Sequence, residues 1–165
     1  MPQKIRMTLC PKAGFELPFS EGYQLYSALL GVMKESDSAA AGHAHDSSIG
    51  SISLGPLQGR FLPGQREQHK AVDTAEKYGL SVGITDSKEI EIFRAIIAPL
   101  VLREGDLRLE KGEMRVEELS SSTESFEDLI NSHGSIREQY LDIEFRSATL
   151  IQYKNTKVTD RKSVV

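Results

Sequence analysis

The chain reads as an α+β protein in which helices cover one face of a sheet, and three observations point there. Apolar and polar residues alternate through Ile5, Met7 and Leu9, and again through Leu80, Val82 and Ile84. That period of two is what a half-buried strand imposes. An apolar stripe at helical spacing follows each of these segments. Beyond the second stripe, two further alternating runs meet at Lys111 and Gly112, which is a hairpin signal.

The first strand is predicted over residues 4–9, with Lys4, Arg6 and Thr8 on its polar side, and Pro11 and Gly14 punctuate its exit. Ser20 is a good N-cap for a helix over 21–34, whose stripe is Tyr23, Tyr26, Leu30 and Met33 with Leu29 beside them. Residues 36–48 are small and polar and read as a loop. Ile49, Ile52 and Leu54, set among Gly50, Gly55 and Gly59, indicate a short strand, and residues 63–76 read as a long connection. After the strand at Leu80, Asp86 or Ser87 caps a second helix with Phe93, Ile96, Ile97, Leu100 and Val101 on its apolar side. Pro99 should end or kink that helix.

The hairpin follows, pairing Leu107 and Leu109 with Met114, Val116 and Leu119. Residues 122–131 then read as a short helix with Phe126, Leu129 and Ile130 inward and His133 and Gly134 as its exit. A last strand runs from Tyr140 through Ile143 and Phe145, and the polar residues after 154 are expected to be disordered. Strand, helix, strand, strand, helix, strand is the order of a ferredoxin-like (RRM-like) βαββαβ domain, here with an extra C-terminal strand. The expected domains are 1–138 for that unit, and 139–165 for the first strand of a truncated second ferredoxin-like domain plus its tail.

Composition narrows the function. The 165 residues carry 24 acidic and 20 basic side chains, a net charge of -4. That is not the footprint of a protein that binds nucleic acid through bulk charge alone. The acids concentrate between 104 and 144, whereas Lys4, Arg6 and Lys12, then Arg60, Arg66 and Lys70, then Lys154, Lys157, Arg161 and Lys162 form basic clusters. No apolar run approaches the roughly 20 residues of a membrane helix, and no signal peptide is read. Cys10 is the only cysteine, which excludes an internal disulfide and fits a reducing cytoplasm.

Phosphate-binding glycine loops, paired Cys-x-x-Cys motifs and nucleophile elbows are absent from the sequence. The cluster that carries chemistry is His43, His45 and Asp46, followed by Ser47 and Ser48. Histidine either donates or takes a proton near neutrality, so a histidine beside a sheet face can serve a bound strand as acid or base. The plainer alternative is a solvated loop. His43, His45 and Asp46 with His69 or His133 also have the donor atoms of a zinc site, but serines follow where a metallohydrolase pattern continues with Asp and His. No metal and no cofactor is expected.

Three stretches resemble the CRISPR-associated repeat-RNA processing endoribonucleases of the RAMP superfamily. The first strand leads through Phe15, Glu16, Leu17, Pro18 and Phe19 to a helix opening Tyr23, Gln24, Leu25. Ala44, His45 and Asp46 match that family's hydrophobic-His-acidic motif after the helix. Phe145, Arg146, Ser147, Ala148 and Thr149 resemble the segment opening its second ferredoxin-like domain, with Ala148 where proline is usual.

The resemblance implies metal-independent cleavage of CRISPR repeat RNA, with His45 moving the proton. It further implies a homodimer or CRISPR effector proteins as partners. The position of a tyrosine active in some members is held by Leu30, with Tyr26 one turn earlier, and no lysine follows within 47–53. His43 is the remaining candidate. No glycine follows Gly134, so the glycine-rich loop of the family's second domain is not expected. The competing expectation is a non-catalytic ferredoxin-like module that binds protein through its acidic segment.

Overall fold

The computed structural model describes residues 2–47, 50–86, 88–125, 127, 128 and 131, and the backbone of 151–153 and 156–158. The chain divides into two compact units, Met1–Ser135 and Ile136–Val165. In the first, β1 (Gln3–Pro11) and β2 (Phe15–Pro18) precede α1 (Gly22–Ser36) and α2 (Ser38–Asp46). Then come β3 (Ile52–Leu54), β4 (Leu62–Pro63), β5 (His69–Val72) and β6 (Tyr78–Ile84). The helix α3 (Glu89–Ile97), a π-helical turn over Ala98–Leu102, and the hairpin of β7 (Asp106–Arg108) and β8 (Glu113–Thr123) complete it. The second unit contains a hairpin of β9 (Ile151–Tyr153) and β10 (Thr156–Val158).

The main sheet has the order β3-β6-β1-β8-β7, and every neighbouring pair is antiparallel. With α1 between β1 and β3, and α3 between β6 and β8, the first four strands interleave two β-α-β units. That arrangement is consistent with a ferredoxin-like fold. Alternation does the sorting: Ile5, Met7, Leu9, Leu80, Val82 and Ile84 are buried, while Lys4 and Arg6 are exposed. The buried face meets Leu25, Leu29, Val32 and Met33 of α1 and Ile92 and Ile96 of α3 in one hydrophobic core. Each such side chain contributes about 1.5–3 kcal/mol on burial.

Several elements differ from the sequence reading. Tyr23 is 81% exposed, because α1 turns Leu25, Ala28, Leu29, Val32 and Met33 inward and leaves Tyr26 and Leu30 at the margin. Ser20 does not cap that helix; Glu21 stands at the N-cap and its side chain makes no capping bond. The supposed loop over 36–48 contains α2: Asp37 accepts from the backbone N–H of Ala39 and Ala40, and alanine is the strongest helix former. The connection over 63–76 holds β5, which joins β2 and β4 in a small second sheet.

The first residues of the helix predicted over 122–131, Ser122 and Thr123, instead continue β8 by pairing with Lys4 and Gln3. Among the described residues Glu127 and Asp128 are helical, and the Ser125 hydroxyl accepts from the Asp128 N–H at 2.9 Å. Phe126, Leu129, Ile130, His133 and Gly134, and the strand predicted from Tyr140 to Phe145, lie outside the described residues. Within the tail expected to be disordered, Thr156–Val158 forms β10, which pairs with β9 just ahead of it. Pro99 acts as predicted, since α3 ends at Ile97 and gives way to the π-helical turn. Asp86 accepts from the Lys88 N–H at 2.8 Å just ahead of α3, although Lys88 itself stands at the N-cap.

Candidate functional site

The three predicted site residues converge on α2. Tyr26, half-buried on α1, donates its hydroxyl to the Ala44 carbonyl at 3.3 Å. It thereby ties the two helices together between His43 and His45. Burial pushes the Tyr26 hydroxyl above the ordinary tyrosine pKa, so it stays protonated at neutral pH.

Helical geometry separates the histidines. Residues two apart on an α-helix point about 200° apart, whereas an extended loop would have set them on one side. His43 turns inward, its Nε2 3.0 Å from Oδ1 of Asp86. The Asp86 side chain is only 10% exposed, and its other oxygen accepts from the hydroxyl of the buried Ser51. These bonds hold Asp86 far below the usual carboxylate pKa; the Ser51 hydroxyl contributes most, then the Lys88 N–H, and His43 adds to them. Asp86 is thus a fixed anion that orients the His43 ring.

His45 turns outward, with a side chain 67% exposed and Nδ1 2.8 Å from Oδ1 of the solvated Asp46. It sits in the last turn of α2. His45 is therefore open to a bound ligand, and His43 is held in place.

The sequence reading treated Asp86 only as a helix cap and gave Ser51 no part. Their partnership depends on register: Ile52 and Gln3 both pair with Ile84, which sets Ser51 and Asp86 side by side at one end of the sheet. Among the described residues, no group of three or more His, Cys, Asp and Glu side chains is arranged to hold a metal ion. His69 lies apart on β5, its Nδ1 2.8 Å from the Glu67 carbonyl, and His133 is outside the described residues. No helix among the described residues is long and apolar enough to cross a membrane.

No family model matches the chain, and no curated protein matches it. Solved structures do. An RAMP protein binding different RNA substrates is 19% identical, with a TM-score of 0.54 over 73% of this chain and 48% of that one. A CRISPR-associated protein Cas6 is 20% identical, with a TM-score of 0.50 over 76% of this chain and 51% of that one. The product of a Cas6-related gene from Pyrococcus furiosus is 15% identical, with a TM-score of 0.53 over 76% of this chain and 49% of that one. The chain spans about half the length of these structures. At such identities the likeness is one of fold: over about three quarters of its own length, this chain is built as these RAMP and Cas6 structures are.

Proposed function

We propose that the chain is the ferredoxin-like N-terminal half of an RNA-processing endoribonuclease of the RAMP type, acting on CRISPR repeat RNA in the cytoplasm. The observation that carries this reading is the placement of His45. It is solvent-open and paired with Asp46 at the end of a helix, on a fold shared with RNA-binding and CRISPR-associated structures.

The reaction is an internal transesterification. The ribose 2′-oxygen attacks the adjacent phosphorus and the bond from phosphorus to the 5′-oxygen breaks. The products are a 2′,3′-cyclic phosphate and a 5′-hydroxyl. The proton leaving the 2′-hydroxyl passes to a base, and the departing 5′-oxygen gains one from an acid. His45 performs one of these transfers and water the other. A positioned histidine contributes roughly 10²–10⁴-fold to such a step. Tyr26 and the pair of His43 with Asp86 fix the end of α2 from which His45 projects.

The test is cleavage of a labelled repeat RNA in EDTA by the whole chain and by its His45→Ala variant. Site-specific cutting that leaves a cyclic phosphate and falls at least 100-fold in the variant supports the reading. Cutting that survives the substitution overturns it. A second reading, a non-catalytic module that binds protein, is favoured by the exposed carboxylates of Glu117 and Glu118 on β8. Binding of a partner protein with no RNA cleavage by either protein would select it.

A further inference from the structure

The helix pair that carries His45 also carries an open aromatic ring at the same end. Asp37 ends α1 and caps α2, so the chain reverses between them. The late residues of α2 therefore lie against the early residues of α1, and the bond from Tyr26 to the Ala44 carbonyl is that pairing. Tyr23 precedes Tyr26 by three residues, about 4.5 Å along the axis and about 60° round it. That sets Tyr23 level with the end of α2, where His45 and Asp46 stand. Packed helix axes are about 8–10 Å apart, so the phenol ring and the imidazole face solvent from adjoining helices.

Among the described residues, Tyr23 and Phe19 are the only exposed aromatic side chains. Phe19 belongs to the approach to α1, where its N–H is bonded to the Gln68 carbonyl at 3.0 Å. Tyr23 alone is carried by the helix that touches α2. Its neighbours Gly22 and Ser27 are small and exposed, so nothing bulky covers the ring from along the helix. On the far side of α1 from Tyr26, a groove of about 480 Å³ runs against β7, lined by Glu35, Asp106, Arg108 and Glu110 among others. Arg108, the cation of that lining, is paired with Glu35 at 3.7 Å. The carboxylates there disfavour a polyanion, which leaves the His45 side of Tyr23 as the open approach.

We propose that Tyr23 is a stacking platform for one unpaired base of the RNA substrate, beside the phosphate on which His45 acts. The proposal rests on the RNA-processing reading and adds a substrate contact to it. A base must leave its helix to lie flat on an aromatic side chain, so the nucleotide at this position is single-stranded. Every base has a π-face, so the contact tolerates any sequence. The ring touches no reacting atom. Tyr23 is a positioning residue that holds the strand while His45 moves the proton.

The experiment uses the whole chain as His45→Ala, which leaves bound RNA uncut, and repeat RNAs carrying one 2-aminopurine stepped along the strand. At one position the fluorescence should change on binding. Adding Tyr23→Ala should abolish that change, and adding Tyr23→Phe should keep it. An RNA lacking the base at that position should bind the Tyr23 chain roughly 5- to 100-fold more weakly than intact RNA. It should bind the Tyr23→Ala chain no more weakly than intact RNA does. With His45 in place, Tyr23→Ala should raise KM for cleavage and leave kcat within about 3-fold. Leu102→Ala, which trims another exposed side chain, should change none of these.

Tyr23 reaches solvent, so its variants should keep the wild-type urea midpoint. A missing base that costs as much without the ring as with it overturns the platform, and so does a fluorescence change that survives Tyr23→Ala. RNA that binds but is uncoupled from the ring removes the platform alone. Absence of RNA binding at low salt removes the RNA-processing reading and the platform with it, so the two failures are distinguishable.

Discussion

Asp86 holds His43 across the gap between two helices: Oδ1 of the carboxylate lies 3.0 Å from Nε2 of the imidazole. The same carboxylate binds the Ser51 hydroxyl and the Lys88 N–H. One anion therefore joins the end of α2, the entry to β3 and the start of α3. This is how a short helix built largely of alanine and glycine keeps its last turn, and His45 with it, in a fixed place.

Stability should consequently depend on acid through Asp86. Its pKa in the folded chain is held well below the usual value, first by Ser51, then by the Lys88 N–H, with His43 adding. An unfolded aspartate titrates near 3.9. The contribution is thus complete above that value and is lost as pH falls through it towards the lower folded pKa. Urea unfolding of the wild type and of Asp86→Asn should differ by about 1–3 kcal/mol at pH 7, and the difference should shrink below about pH 4. A difference that is flat from pH 7 to pH 3 would show that the Asp86 charge does not matter.

A second anion is buried more deeply. Glu21 is 2% exposed and binds Lys70 at 2.9 Å, while its Oε1 also accepts from the Leu57 N–H at 3.1 Å. Lys70 lies in turn over the Phe61 ring, 4.0 Å from its centroid. The pair fastens the small sheet to the start of α1. Lys70→Met leaves Glu21 buried and unpaired and should cost about 3–5 kcal/mol. Glu21→Gln/Lys70→Met keeps an acceptor for Leu57 and removes both charges, so it should recover most of that loss. A double-mutant cycle from urea midpoints measures the coupling; additive losses would rule out the pair as a unit.

What the sequence conveyed and what it withheld divide along physical lines. The strands at Ile5 and Leu80 were legible because each buries one face, and burial writes its period into the residues; the second helix was legible too, but its apolar side was misplaced, since Ile92 is buried and Val101 is exposed. The helix α2 was misread as a loop because its residues are small and weakly patterned, although Asp37 ahead of three alanines is a capping signal in plain view. The strands β2 and β5 were missed because four-residue strands carry too little alternation; Phe15 and Leu17 had the spacing, but Val72 stands without a partner in its own run. At the site, His43 and His45 were candidates by residue type, and Tyr26 only through the family resemblance. The role of Asp86 could not, because it arises from the pairing of Ile52 with Ile84, a contact 32 positions apart in the chain.

Tyr26 is the candidate on which a single substitution says most. Its hydroxyl donates to the Ala44 carbonyl at 3.3 Å, and burial keeps it protonated. An O–H that is already bonded within the protein, and is not readily ionised, is better suited to holding α2 than to taking a proton from RNA. Tyr26→Phe keeps the ring and removes the bond, so it should cost about 0.5–1.5 kcal/mol in a urea titration. The rate of repeat-RNA cleavage at saturating enzyme should fall less than about 3-fold, against the roughly 10²-fold or greater loss expected for His45→Ala. A 100-fold loss in Tyr26→Phe with unchanged stability would move Tyr26 from positioning the helix to the chemistry itself.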